Sequence, residues 1–281
     1  MSATLLHRLQ QPRPTADDHR WLLIVAGQMT VFAAALIAAG GYHIGFHWLN
    51  DAARPLSAPL LQNITQTGDS LVMLNLFLLL IWRYPQAVWH AVLAALIATL
   101  LSHGVKIIAH LPRPAGALAA DSFRLIGPAW HRNSFPSGHT VTAFVGAGVL
   151  ACATPSIAMR AVLILMAMAI GVSRVAVGAH WPVDVLTGAA IGLLSVWLGL
   201  CAMRRCRWGL RLQGHLLIAA LLAGCAIADV VRMPAYPDAL WMVRTISCLG
   251  LASALWRYGF ATRGYAITGF GWQRRAGGAS V

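Results

Sequence analysis

Residues 132–144 read RNSFPSGHTVTAF, with Pro136, Ser137, Gly138 and His139 standing directly before an apolar run able to enter a bilayer. Pro-Ser-Gly is ordinary punctuation for a helix start, and Ser137 is a good N-cap. A helix start also presents N–H groups without intrahelical partners, which attract anions. The stretch therefore has two readings, the mouth of a membrane helix or a site built on that mouth. The rest of the chain decides between them.

The chain has 281 residues, 58% of them hydrophobic and 10% charged, and a mean hydropathy of +0.67. That excludes an ordinary soluble domain and indicates an all-α, polytopic transmembrane bundle. Glutamate is absent, and eight aspartates face 21 Lys plus Arg, for a formal charge of +13. The basic residues fall between apolar segments and form no aromatic-interleaved stripe, so anionic lipid headgroups and an anionic substrate are expected as partners, not nucleic acid. The five cysteines (Cys152, Cys201, Cys206, Cys225 and Cys248) show neither metal-ligand spacing nor a disulfide framework.

A membrane helix needs about 20 mainly apolar residues. Eight spans are expected, at 21–40, 65–82, 86–106, 139–157, 159–178, 183–203, 212–231 and 239–256. The second is the weakest, because NITQTGDS is polar. The run from Trp21 is read as a retained first helix rather than a cleaved leader. With residues 1–20 as a cytoplasmic N-terminal segment, Arg83, Arg160, the RRCRWGLR run at 204–211 and the arginines of a cytoplasmic tail at 257–281 all fall inside, as the positive-inside tendency requires. The end GWQRRAGGASV reads as unstructured. Lys106, Arg113, Arg124, Arg132, Arg174 and Arg232 fall on the outer side, against that tendency. An anionic ligand at the outer interface would account for them.

Three separated pieces carry polar residues to that same face. KIIAHLPRP holds Lys106, Arg113 and Pro114; the opening stretch holds Ser137, Gly138 and His139; SRVAVGAHWPVD holds Ser173, Arg174, His180 and Asp184. Charges beside membrane spans are costly unless paired or functional, so their convergence is informative. The residue types suit phosphoryl transfer. One Lys and two Arg can hold nonbridging oxygens and offset their charge in the transition state. Backbone N–H groups at Ser137, Gly138 and His139 can add to that cradle, and glycine permits close approach. His180 and Asp184 are four apart, on one side of a helical turn if a helix begins near Trp181 and Pro182. Asp184 would then hold one imidazole nitrogen and leave the other free to attack phosphorus, with His139 as acid and base. No carboxylate cluster is present to hold Mg²⁺, and neither a metal nor another cofactor is expected. Each part alone has a plain structural reading, as helix punctuation, a structural hydrogen bond or an interfacial snorkelling cation. Their coincidence favours a site.

The pattern resembles the type 2 phosphatidic acid phosphatase (PAP2) family, whose signature has three parts. Lys106 to Arg113-Pro114, Pro136-Ser137-Gly138-His139, and Ser173-Arg174 to His180 to Asp184 match it in order and without departure. The resemblance implies a PAP2-like six-helix catalytic core within 21–203, followed by two additional spans within 204–256. It implies His180 as nucleophile, Asp184 as its orienting partner, His139 as acid and base, and Lys106, Arg113, Ser137, Gly138 and Arg174 as phosphate ligands. It also implies a metal-independent enzyme acting on a lipid phosphate or diphosphate at the periplasmic face of a bacterial inner membrane. Undecaprenyl diphosphate or a broad range of lipid phosphates is the expected substrate, with the lipid A 1-phosphate and phosphatidylglycerophosphate as alternatives. Ser173, Arg124, His131, Arg132 and Arg232 are candidate headgroup contacts. Transfer to a second lipid, and a non-enzymatic lipid transporter or binding protein, remain as competing classes, and self-association is left open.

Overall fold

The computed structural model describes residues 3–11, 17–260, 265–268 and 271–274. In chain order its helices are α1 (Ala3–Leu9), α2 (Trp21–Gly40), α3 (Phe46–Ala52), α4 (Ala58–Gln66), α5 (Ser70–Leu80), α6 (Pro85–Ala109), α7 (Pro114–Ala117), α8 (Gly138–Ala153), α9 (Ile157–Ala176), α10 (Pro182–Arg205), α11 (Leu212–Val231) and α12 (Leu240–Ala254). The fold is all-α, a helical bundle with six helices, among the described residues, long and apolar enough to cross a membrane. Large apolar side chains such as Val31, Leu100, Ile157 and Leu165 lie on its outside, the surface expected of a bundle whose solvent is lipid.

Two of the eight expected spans are shorter than expected. α5 has 11 residues and begins where Asp69 accepts hydrogen bonds from the N–H groups of Leu71 and Val72, so the polar stretch before it becomes the separate α4. At 1.5 Å per residue α5 is roughly 16 Å long, about half the hydrocarbon thickness. α8 stops at Ala153 because Thr154, the residue before Pro155, is extended (φ −113°, ψ 138°), the conformation that a following proline imposes. A further difference lies in the tail: of the GWQRRAGGASV end that reads as unstructured, Gly271–Arg274 (β2) pairs antiparallel with Tyr265–Thr268 (β1), and 275–281 lie outside the described residues.

α10 is the axis of the bundle. It packs against α2, α6, α8 and α9, and 61% of its most apolar window is buried, against 17–39% for the other long spans. The approach of α8 depends on two glycines one turn apart. A Cβ on Gly188 would lie 2.8 Å from the Ser137 carbonyl oxygen, and one on Gly192 would lie 2.7 Å from Phe144 Cβ and 2.9 Å from the Val141 oxygen. Small residues at such spacing let membrane helices approach backbone to backbone. The result seats the start of α8 against the start of α10, where Ser137 N–H donates to the Asp184 carbonyl at 3.1 Å.

α11 and α12 pack on α5 and are joined to it by buried polar groups. Asn75 Nδ2 donates to Asp229 Oδ2 at 2.7 Å and to Ser247 Oγ at 2.9 Å. Arg232 bridges Asp229 at 2.5 Å and Asp69 at 2.6 Å. Asn75, Asp229 and Ser247 are buried, and in that low-dielectric setting their bonds set the docking of the pair, since leaving any of the three unpaired is costly.

Candidate active site

The ends of α6, α8, α9 and α10 meet at one end of the bundle, because alternating direction places the C-termini of α6 and α9 beside the N-termini of α8 and α10. Ser137 caps α8 through Thr140 N–H and also accepts from the Thr140 hydroxyl at 2.9 Å. A Cβ placed on Gly138 would meet nothing within 4 Å, so open space lies against the backbone of the first turn. His139 lines, with Gly138, a cavity of about 310 Å³ that continues along Met73, Ala98 and Val145 between α5, α6 and α8.

His180 precedes α10 in a turn made possible by Gly178, whose φ of +76° favours glycine and where an added Cβ would stand 2.8 Å from the Arg124 oxygen. Its Nδ1 lies 3.0 Å from Asp184 Oδ2, with both side chains buried. Arg113 Nη1 lies 3.2 Å from His180 Nε2. A guanidinium only donates, so Nε2 carries the lone pair and Nδ1–H donates to Asp184. Burial, reinforced by the Arg113, Arg174 and Lys106 cations, holds the His180 pKa well below its usual value, leaving a neutral imidazole near pH 7.

Asp184 is held by more than His180. Its Oδ2 accepts from Trp181 N–H at 3.0 Å and from the Ser134 hydroxyl at 2.5 Å, and the Tyr42 hydroxyl donates to Oδ1. Burial, and then the Asp184 charge, push the Tyr42 phenol above its usual value, which keeps it a donor. Trp181 is wholly buried, stacks on His43 at 3.9 Å and donates Nε1–H to the Pro112 carbonyl at 2.8 Å. It thereby joins the segment after α2, the segment before α7 and the start of α10.

The cations are placed by carbonyls and aromatic faces. Lys106 Nζ donates to the Asn133 oxygen at 3.0 Å, and Arg113 Nε to the Arg132 oxygen at 3.0 Å. Arg113 and Arg174 lie over the Trp130 ring at 5.1 and 5.8 Å, within cation–π range. Arg174 is 1% exposed, and its Nη1 donates to both Thr65 Oγ1 and the Tyr236 hydroxyl at 2.7 Å. Among the described residues its buried Nε has no hydrogen-bond partner, and no three His, Cys, Asp or Glu side chains converge to hold a metal ion.

Lys106, Arg113, Ser137, Gly138, His139, Arg174, His180 and Asp184 thus come from the ends of α6, α8, α9 and α10 and the start of α7 to one end of the bundle. Of the candidate headgroup contacts, three have partners within the protein. Ser173 donates its hydroxyl to the Ile170 carbonyl of its own helix at 2.6 Å. Arg124 Nη1 caps the end of α3 through the carbonyls of Ala53, Arg54 and Leu56 at 3.0–3.2 Å. Arg232 is committed to Asp69 and Asp229. His131 and Arg132 are exposed and line an open cavity of about 450 Å³ with His110 and Asn133 beside the site. Sequence reasoning missed Tyr42, Thr65, Trp130, Ser134 and Tyr236. Ser134 lies within the opening stretch and offered a signal by its closeness to the PSGH motif, whereas the others carry no spacing that points to the site.

The PAP2 superfamily model matches residues 87–208. A stretch of 73 residues is 42% identical to lipid A 1-phosphatase from Rhizobium johnstonii, covering 26% of this chain and 29% of that protein. Another, of 59 residues, is 48% identical to lipid A 1-phosphatase from Rhizobium etli, covering 21% of this chain and 25% of that protein. The chain thus matches less than a third of the length of these two relatives. The crystal structure of Aquifex aeolicus LpxE superposes with a TM-score of 0.51 at 32% identity, covering 56% of this chain and 92% of that one.

Proposed function

The chain belongs to the PAP2 superfamily of membrane lipid phosphatases, and on that premise we propose that it hydrolyses a lipid phosphate without a metal, through a phosphohistidine. The observation that carries this reading is the buried His180–Asp184 pair at 3.0 Å with Nε2 of His180 directed at a cation that a phosphate would engage. Arg113 Nη1 donates to that nitrogen at 3.2 Å. An arriving phosphate gives the guanidinium a stronger acceptor and releases Nε2.

Lys106, Arg113, Arg174, the Ser137 hydroxyl and the first N–H groups of α8 hold the nonbridging oxygens and offset charge as the reaction proceeds. Nε2 of His180 forms the bond to phosphorus as the bond to the lipid oxygen breaks, and His139 gives that oxygen a proton. The imidazole ring becomes positive, and the Asp184 carboxylate at Nδ1 stabilises it. Water then attacks phosphorus, yielding a proton to His139 and restoring His180.

The names of the Rhizobium relatives favour the 1-phosphate of lipid A over the undecaprenyl diphosphate expected from sequence. On this reading His131 and Arg132, exposed beside the site, meet the sugar headgroup. The charge pattern favours the periplasmic face of an inner membrane for this end of the bundle. Phosphate release from purified protein, given lipid A, undecaprenyl diphosphate, phosphatidylglycerophosphate and phosphatidate in turn, tests the reading. Turnover is expected to be highest on lipid A, to persist in EDTA and to vanish in His180→Ala. Unchanged turnover in that variant, or loss in EDTA restored by Mg²⁺, would overturn the histidine mechanism. Label left on a second lipid rather than on free phosphate would make the protein a phosphotransferase.

A further inference from the structure

The helix pair α11–α12 begins beyond residue 208, where the match to the family model ends, yet its connection reaches the site. Tyr236 is 0% exposed, and its hydroxyl accepts from Arg174 Nη1 at 2.7 Å, the same guanidinium nitrogen that donates to Thr65. Its ring lies 5.5 Å from the Arg174 Cζ and edge-on to Trp130 at 6.3 Å. Gly127, at φ +88°, runs so close to the ring that a Cβ there would stand 2.5 Å from the Tyr236 Cε1 atom. The loop carrying Tyr236 is itself pinned. Gln62 Nε2 donates to Asp238 Oδ2 at 2.7 Å, and Asp238 N–H returns a bond to Gln62 Oε1 at 3.0 Å. At its other end Arg232 bridges Asp69 and Asp229.

We propose that the C-terminal helix pair completes the active site, with Tyr236 as a positioning residue that sets the Arg174 guanidinium for the phosphate. This rests on the reading of Arg174 as a phosphate ligand. A buried arginine has several rotamers of similar energy, and its fork serves a tetrahedral anion only in a narrow range of orientations. Two hydroxyl oxygens on one Nη and two aromatic faces on the guanidinium leave a single arrangement. The rest of the guanidinium, including the unpartnered Nε, is then kept for the ligand. On this account α11 and α12 belong to the catalytic unit and are more than a lipid-facing appendage.

The test uses the full-length protein in detergent and orthovanadate as probe, with affinity read by calorimetry so that no substrate is needed. Tyr236→Phe keeps the ring and removes the hydroxyl. It is expected to weaken orthovanadate binding by roughly tenfold, the scale of one hydrogen bond to a charged group, while the Tm stays within a degree or two. Thr65→Val, removing the other acceptor, is expected to act in the same direction. In an Arg174→Lys background Tyr236→Phe should have little further effect, because the fork it positions is gone. Parental orthovanadate affinity in Tyr236→Phe, or a loss that is undiminished in the Arg174→Lys background, would overturn the proposal. Failure of wild-type protein to bind orthovanadate would instead sink the phosphate-site reading on which it rests.

Discussion

At the scale of single residues, the site is a set of donors arranged around one carboxylate. Asp184 accepts from His180, Trp181 N–H, Ser134 and Tyr42, and only the first is an expected catalytic contact. The others fix the carboxylate so that it can fix the imidazole. Removing the charge and removing one of its supports should therefore differ in size. Asp184→Asn is expected to lower kcat by roughly 10²- to 10⁴-fold, through the wrong tautomer and an unstabilised imidazolium. Tyr42→Phe, which leaves three donors in place, is expected to cost about tenfold or less. Saturating turnover of both variants on one lipid phosphate checks the order, and equal losses would refute a supporting role for Tyr42. His180 and Asp184 were legible because their spacing of four is a local helical relation. Tyr42, more than a hundred residues away, left no comparable trace.

At the scale of elements, the position of the PSGH turn depends on how closely α8 can approach α10. Gly188 and Gly192 face α8 where any side chain would meet backbone. Gly192→Ala is expected to destabilise the protein by about 1–3 kcal/mol through overpacking, seen as a lower Tm, and to lower activity by moving Ser137 relative to Asp184. A Tm equal to that of the wild type would mean that the contact yields freely. Most helix starts were legible, since Ser137 and the Pro182–Asp184 turn declare themselves through capping chemistry. The ends of α5 and α8 were less so, because a hydropathy window averages over Asp69 and Pro155, residues whose effect on the backbone is abrupt.

At the scale of the whole molecule, the helix alternation puts the site residues at one end and the RRCRWGLR run at the other. That arrangement predicts opposite labelling from the two sides. In a cysteine-free background, Ser122→Cys in the exposed loop beside the site should react with a membrane-impermeant maleimide in intact spheroplasts. Restoring only Cys206, exposed at the far end of α10, should give labelling after lysis alone. The reverse pattern would place the site in the cytoplasm. The two C-terminal helices were visible as spans, but their contribution was not. Tyr236 meets Arg174 only because α11 and α12 dock on α5 through Asn75, Asp229 and Ser247, a set of contacts spread over most of the chain.

The sequence by itself determined the class of fold and pointed to the chemistry. Composition demands a bilayer, apolar run length yields most of the spans to within a few residues, and three motifs with helical or capping spacing point to a nucleophile, its orienting partner and a phosphate cradle. Only the tertiary structure decided where each cation is held. Arg124 and Arg232 fall on the same outer side as Arg113 and Arg174, but Arg124 is held by the carbonyls at the end of α3 and Arg232 by Asp69 and Asp229, whereas Arg113 and Arg174 lie together over Trp130. The physical reason is one of range: capping and helical periodicity act over a few residues, whereas the partner of a buried charge is set by packing across the whole bundle.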